Sequence, residues 1–169
     1  DGARDGGVRV TCRLAPSVVP CGRPLTLTVS FENLSGKPVT ILASPNALLP
    51  MVRVTDPALA RWLRKLRGTT EEEEMPLVPA RRDYVTLCAG GRLQVPVELR
   101  TAAVPARYSV SLRYSDPYGG DYWWHVLDAP PQESWVKRSI AEEGLRPWPG
   151  RCDCGPLVGR AVLTWSPPK

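Results

Sequence analysis

The sequence predicts an all-β fold, an antiparallel sandwich of seven or eight short strands with two short helical insertions. Three observations lead to this prediction. Apolar and polar residues alternate in most segments, as in strands with one buried face. Gly, Pro and Asn turns separate these segments at near-regular spacing. The chain also has 19 prolines among 169 residues. They disfavour a helical bundle, because each internal proline costs a helix about 3 kcal/mol.

The first part of the chain alternates most clearly. Residues 1–7 are polar and glycine-rich, which predicts a flexible tether before a single domain over 8–169. Strands are predicted at 8–14, 24–32, 37–43 and 51–55. The segment 24–32 is the clearest of these, and the side chains expected in its core face are Leu25, Leu27, Val29 and Phe31.

The hydrophobic period changes after residue 55. Asp56 suits a helix N-cap and Pro57 the first helical position. Leu59, Trp62, Leu63 and Leu66 follow at helical spacing, which predicts a helix over 57–67. Such a helix either covers an open end of the sandwich or binds an acidic partner or a membrane surface. With the glutamate-rich loop that follows, it forms a first insertion over 56–82.

Strands resume in the second half of the chain, at 83–88, 92–100, 107–114 and 157–165. Pro96 lies inside one of them and predicts an edge strand or a bulge. The last two strands are too far apart in sequence for a simple hairpin. Residues 115–155 therefore form a second insertion, with a predicted helix around 133–143.

Three pieces of the sequence carry a resemblance to known domains. They are VVPCGRPLTLTVSFENLSGKPVTIL, then LCAGGRLQVPVEL with PARYSVSLRY, and a closing WPG with GPLVGRAVLTW. Together they resemble the immunoglobulin-like sandwiches of bacterial envelope and secreted proteins. The resemblance implies an immunoglobulin-like β-sandwich, in which PARYSVSLRY is the strand with a leading tyrosine. The cysteines do not follow the inter-sheet disulfide of antibody domains.

Five cysteines stand at positions 12, 21, 88, 152 and 154. This number suggests an oxidising compartment and disulfides, which predicts an extracytoplasmic protein, periplasmic, cell-surface or secreted. The count is odd, so at least one thiol is free, metal-bound or paired outside the chain. An extended segment from Cys12 to Cys21 is too long for a bridge unless Pro16 folds the chain back. The pairing stays open at this point.

Cys152 and Cys154 could together bind a soft metal ion. A complete zinc site needs four ligands, and the cysteine spacing is shorter than in known zinc sites. The chain has one histidine, His125. We therefore expect each of these two cysteines to form a disulfide with a cysteine elsewhere and so to hold a loop in place. We predict no metal and no cofactor.

The second insertion is rich in aromatic residues. It holds four of the six tryptophans of the chain. Aromatic side chains give large contact area at low entropic cost and often anchor interfaces. The predicted binding residues are Tyr118, Tyr122, Trp123, Trp124, His125, Arg146 and Trp148. The alternative is that these aromatic residues pack over one end of the sandwich.

These features predict a non-catalytic, extracytoplasmic module that binds or assembles with a protein partner. No nucleophile, metalloprotease or phosphate-loop motif is present. The basic residues are scattered, without the stripe expected for nucleic-acid binding. No apolar run reaches the roughly 18 residues of a membrane span, and an association with a membrane surface or the envelope stays open. The aromatic residues also allow a carbohydrate-binding module as an alternative.

A loop-based protease inhibitor is the other alternative. Arg146, Pro147 and Trp148 match the Arg-Pro-Trp loop of chagasin-like cysteine protease inhibitors. This resemblance implies that Arg146 and Trp148 lie on an exposed loop tip.

Overall fold

The computed structural model describes residues 3–5, 7–44, 47–67, 81–116, 148 and 150–164. In this part of the chain, strands dominate, and a single α-helix and a short 3-10 helix accompany them. The all-β class is confirmed. The strands are β1 Ala3–Asp5, β2 Val8–Leu14, β3 Val18–Pro20, β4 Leu25–Asn33, β5 Val39–Leu42, β6 Leu48–Val54, β7 Tyr84–Leu87, β8 Arg92–Leu99, β9 Ala106–Ser115 and β10 Arg151–Val162; the helix α1 is Pro57–Arg67, and the 3-10 helix is Arg81–Asp83.

The strands form two larger sheets and one small one. The first sheet has the antiparallel order β1-β2-β4-β8. The second has the order β3-β10-β9-β6, in which only the pairing of β3 with β10 is parallel. Strands β5 and β7 form an antiparallel pair of their own. Side chains from all three sheets share one hydrophobic core.

The buried faces follow the predicted alternation. Every second residue of β4 is buried, from Leu25 to Phe31, and the residues between them are half-buried. In β9 the buried residues are Tyr108, Val110, Leu112 and Tyr114. Each fully buried side chain of this size contributes roughly 1.5–3 kcal/mol through removal of apolar surface from water. Burial of these two alternating faces is therefore a main source of stability.

The predicted helix is confirmed with both of its boundaries. Asp56 Oδ1 accepts hydrogen bonds from the backbone N–H groups of Ala58 at 2.8 Å and Leu59 at 3.1 Å. These bonds satisfy donors that the first turn of a helix leaves without an intrahelical partner. The helix directly follows β6 and contacts it.

Two short strands were not predicted. Ala3–Asp5 pairs with β2, so this part of the predicted N-terminal tether is ordered as a strand. Val18–Pro20 pairs with the end of β10. Three residues are too few to show a hydrophobic period, and such strands are defined by their neighbours. The Pro96 prediction is confirmed, because β8 stands at the edge of its sheet.

Strand β10 begins six residues earlier than predicted. Residues 151–155 are therefore part of β10 and not of the predicted insertion over 115–155. In the structure, Cys152 and Cys154 pair with β9, and a bulge between Cys154 and Leu157 absorbs the interruption. Gly155 has a φ of 103° there, and a Cβ at this residue would lie 2.7 Å from the carbonyl oxygen of Val110. The bulge therefore requires glycine.

Asn33 ties the small sheet to the first large one. Its side chain is fully buried, and Nδ2 donates to the carbonyl oxygens of Lys37 at 2.8 Å, Leu87 at 3.0 Å and Cys88 at 3.1 Å. Its Oδ1 accepts from the backbone N–H and the hydroxyl of Ser35. One amide thus holds two turns together, the turn after β4 and the turn between β7 and β8.

Candidate functional site

Six of the seven predicted binding residues lie outside the residues that the structure describes. They are Tyr118, Tyr122, Trp123, Trp124, His125 and Arg146. The predicted helix around 133–143 lies outside them as well. Their role in binding stays a prediction.

Trp148 is the described member of this set, and it is buried with 3% of its surface exposed. Its indole stacks on the Tyr114 ring, with centroids 5.4 Å apart and planes 19° apart. The Phe31 ring meets it nearly edge-on at 6.5 Å. The backbone N–H of Trp148 donates to the carbonyl oxygen of Thr40 at 2.9 Å. Trp148 therefore packs in the core, and the exposed loop tip required by the protease-inhibitor alternative is contradicted at this residue.

Both ends of the aromatic segment are fixed in the core. Asp116 directly follows β9, is 7% exposed and accepts a hydrogen bond from the Tyr84 hydroxyl at 3.1 Å. Trp148 is held by Tyr114 and Phe31 at the other end. Asp116 and Trp148, the described residues on either side of 117–147, therefore both lie in the core.

A groove of about 620 Å³ lies between α1, the end of β6 and the segment that precedes β9. This volume lies within the usual range of ligand sites, roughly 300–1,000 Å³. Apolar side chains from three parts of the chain line it, among them Val54, Leu63 and Tyr108. We call it the α1 groove.

The α1 groove carries positive charge. Arg53 of β6, Arg64 of α1 and Arg100 after β8 line it, and none of its described lining residues is acidic. The ion pairs found among the described residues join Glu32 to Arg9 and Arg92, and Arg113 to Asp153, so they do not involve these three arginines. Apolar lining with arginines that form no ion pair among the described residues suits a ligand that is both apolar and anionic.

One part of the apolar face of α1 packs on the protein, and the other part is exposed to solvent. Leu59 and Leu63 are half-buried, whereas Trp62 is 48% exposed and Leu66 is 65% exposed. The helical spacing of these four residues predicts that they share one face. Only part of that face packs on the protein. Trp62 and Leu66 therefore extend the accessible apolar surface of a basic helix.

Three of the five cysteines come together between the sheets. Cys12 of β2 is half-buried, and Cys152 and Cys154 of β10 are each 5% exposed. The thiol of Cys154 is within hydrogen-bonding reach of both Cys12 and Cys152. Cys21 is at the other end of β10, where its N–H donates to Val162 O at 2.9 Å. The structure thus does not bring Cys12 and Cys21 together. All five cysteines are thiols in this structure, so the predicted disulfides are not formed in it.

The thiols of the cysteine cluster, Cys12, Cys152 and Cys154, differ in the direction of their pKa shifts. Hydrogen bonds from Cys12 and Cys152 hold the pKa of the Cys154 thiol below its usual range. The contact with Cys154 and burial raise the pKa values of Cys12 and Cys152. The three thiols therefore titrate as one coupled group, in which the pKa of Cys154 is the lowered one. In the described part of the chain, no group of His, Cys, Asp and Glu side chains has the arrangement of a metal site.

A cross-strand ion network covers the outer face of the first sheet. Glu32 of β4 accepts from Arg9 of β2 and from Arg92 of β8, with Arg92 nitrogens at 2.8 and 3.0 Å. The Glu32 side chain is 17% exposed. Hydrogen bonds from Arg9, then from Arg92, hold the pKa of Glu32 below its usual range. This network links three neighbouring strands across the sheet.

We expect the Glu32 network to make the free energy of unfolding depend on pH in the acid range. Since the folded pKa is lowered, its contribution is complete above the unfolded pKa of about 4.3 and is lost as the pH falls through the folded value. Glu32→Gln should therefore flatten the loss of stability below about pH 4.3, measured as urea midpoints. Glu98→Gln, an exposed change on neighbouring β8, is the control. Equal acid sensitivity in wild type and Glu32→Gln would contradict the expectation.

The chain was compared with protein-family models, with curated proteins and with solved structures. No family model, no curated protein and no solved structure matches the chain. In the described residues, no helix has the length and apolar character needed to cross a membrane.

Proposed function

We propose that the protein is a non-catalytic binding module that captures an acidic, partly apolar segment of a partner protein in the α1 groove. One observation carries this proposal. The groove combines an apolar lining with three arginines and has no acidic residue among its described lining. A concave site of about 620 Å³ has room for several side chains of a peptide.

The charge of α1 favours the same kind of partner. The helix contains Arg61, Arg64, Lys65 and Arg67 and no acidic residue. Its exposed Trp62 offers an aromatic surface beside this charge. Aromatic and arginine side chains are the residues most enriched in binding hot spots. A peptide that carries glutamate or aspartate between apolar residues would match both properties.

We also propose that the fold is an immunoglobulin-like sandwich. Two features support this. The orders β2-β4-β8 and β6-β9-β10 correspond to the A-B-E and C-F-G arrangements of that fold. The Tyr108 hydroxyl, near the start of β9, accepts a hydrogen bond from the Ala102 N–H at 2.6 Å. This is the geometry of the tyrosine corner, in which a tyrosine early in strand F bonds to the backbone just upstream.

The aromatic segment is proposed as a second contact with the partner. Trp123 and Trp124 lie between Asp116 and Trp148 in the sequence. Asp116 and Trp148 both contact core residues. Of the other functions predicted, the carbohydrate-binding module would also use these tryptophans. The protease inhibitor loses support, since Trp148 is covered by Tyr114 and Phe31. We also propose an extracytoplasmic location, because the chain has five cysteines.

The proposal is tested with fluorescent peptides and the full chain. The probe alternates glutamate and leucine, and its controls replace glutamate with glutamine or lysine. We expect the acidic peptide to bind, with an affinity that falls as salt is raised. Arg64→Gln and Arg100→Gln should each weaken binding about fivefold, the loss of roughly 1 kcal/mol per exposed charge contact. Arg13→Gln, which removes an exposed charge from β2, should have no effect.

Three results would overturn the proposed groove. Equal binding by wild type and Arg100→Gln would exclude the groove as the site. An equal loss in Arg13→Gln would indicate only net charge. Binding to phosphatidylserine vesicles in place of the acidic peptide would assign α1 to a membrane surface. A Trp123→Ala/Trp124→Ala variant in the same assay measures whether the aromatic segment adds to the affinity.

A further inference from the structure

The cysteine cluster has a property that the binding function does not use. Cys12 lies in the first sheet, in register with Val29, and Cys154 lies in the second sheet, in register with Leu112. Their thiols meet in the core between the two sheets. A covalent link here would join the two sheets directly.

The two sheets approach each other closely along this line. A Cβ added to Gly159 of β10 would lie 2.8 Å from a methyl group of Leu25 and 2.9 Å from one of Leu14. Leu14 and Cys12 are two residues apart on β2, so their side chains share the same face. The strand that carries Cys12 is thus held tightly against the strand that carries Cys154.

The contacts favour one of the three possible thiol pairs, because Cys12 is within hydrogen-bonding reach of Cys154 and not of Cys152. Cys152 and Cys154 are two residues apart on one strand, so their Cα atoms are about 6.6 Å apart and their Cβ atoms point the same way. A disulfide needs Cβ atoms about 3.5–4.5 Å apart. Cys12 instead faces Cys154 from the opposite sheet, as the two halves of a cross-sheet bridge must.

We propose that Cys12 and Cys154 form a disulfide between the two sheets, with Cys152 remaining as a thiol beside it. The oxidant is a small-molecule or protein disulfide. The Cys154 thiolate attacks one oxidant sulfur, forms a mixed disulfide and expels the first thiolate. Cys12 then gives up its proton and attacks Cys154 Sγ, which expels the second thiolate. Two electrons pass from the cysteines to the oxidant, which leaves as two thiols.

The low pKa of Cys154 favours its part in this exchange, because the thiolate is the attacking species. Its burial restricts access in the folded state, since only 5% of Cys154 is exposed. The bond therefore forms as the sheets close during folding. Once formed, it is shielded from reductants in solution.

The full chain, refolded with oxidised and reduced glutathione, tests the proposal. Thiols are alkylated in denaturant without reduction. We expect three alkylated cysteines of the five. Trypsin releases residues 10–13 and 152–160, and cleavage before Asp153 then separates Cys152 from Cys154. The expected cross-linked species joins residues 10–13 to the fragment that begins at Asp153.

The Cys152→Ser variant is the matched control and should keep the cross-link. Cys12→Ser should lose it and leave all four remaining thiols free. Five alkylated cysteines in the wild type would overturn the proposal, as would a bond that involves Cys152, Cys21 or Cys88. Stoichiometric zinc or copper on three reduced thiols would also overturn it. The peptide map of the wild type gives a decision even where a variant fails to fold.

Discussion

Trp148→Ala is expected to lower the free energy of unfolding by about 3–5 kcal/mol, the usual cost of deleting a large aromatic side chain from a core. The indole packs against both the Phe31 and the Tyr114 ring, and its removal leaves a cavity that these rigid aromatic neighbours cannot fill. The loss is a large part of the 5–15 kcal/mol that holds a typical domain. Urea unfolding, followed by circular dichroism, measures it.

The matched control is Trp62→Ala. Trp62 is 48% exposed on α1, so its removal should cost less than about 1 kcal/mol. Trp148→Phe keeps an aromatic ring in the cluster and should fall between the two, which preserves a measurable protein if Trp148→Ala unfolds. A Trp148→Ala cost no larger than that of Trp62→Ala would contradict the buried position.

Asn33→Ala should cost about 3 kcal/mol, because one substitution removes the donor for three carbonyl oxygens and the acceptor for Ser35. Asn33→Asp should be worse at neutral pH, since it places a carboxylate against the carbonyl oxygens that the amide served. Burial raises the pKa of such a carboxyl in the folded state. Its penalty should therefore shrink as the pH falls and the group is protonated.

Ser35→Ala serves as the control for Asn33. It removes one hydroxyl from the same turn, while the amide keeps its contacts with Leu87 and Cys88. We expect a loss of less than about 1 kcal/mol. Denaturant midpoints measured at neutral and acid pH compare all three variants. If Asn33→Asp is as stable as wild type at neutral pH, the hydrogen bonds assigned to Asn33 are wrong.

The larger elements were accessible from the sequence because their signals are local. The alternation from Leu25 to Phe31 marks a strand with one buried face, wherever its partners lie in the chain. Asp56 and Pro57 mark the start of α1 in the same way, since a cap acts within the first helical turn. The α1 stripe was also recognised, although its division between groove and solvent depends on packing.

The other features depend on contacts between distant parts of the chain. Nothing local indicates that Cys12 and Cys154 meet, because each belongs to a different sheet. Asn33 has two hydrogen-bond partners that lie more than fifty residues further along the chain. Trp148 stands in a proline-rich stretch without a hydrophobic period, so the sequence leaves open whether it binds a partner or packs on the sandwich. The arginines of the α1 groove come from three separate segments.

The position of β10 has a consequence for how the protein folds. This strand follows all the other described strands along the chain, yet it pairs with β3 and β9 and contacts β2. During synthesis the early strands therefore emerge long before the strand that completes their core. Folds dominated by such distant pairings fold in milliseconds to seconds, far more slowly than helical bundles. Closure must wait for β10, and until then the apolar faces of β2 and β4 stay exposed to chaperones and to aggregation.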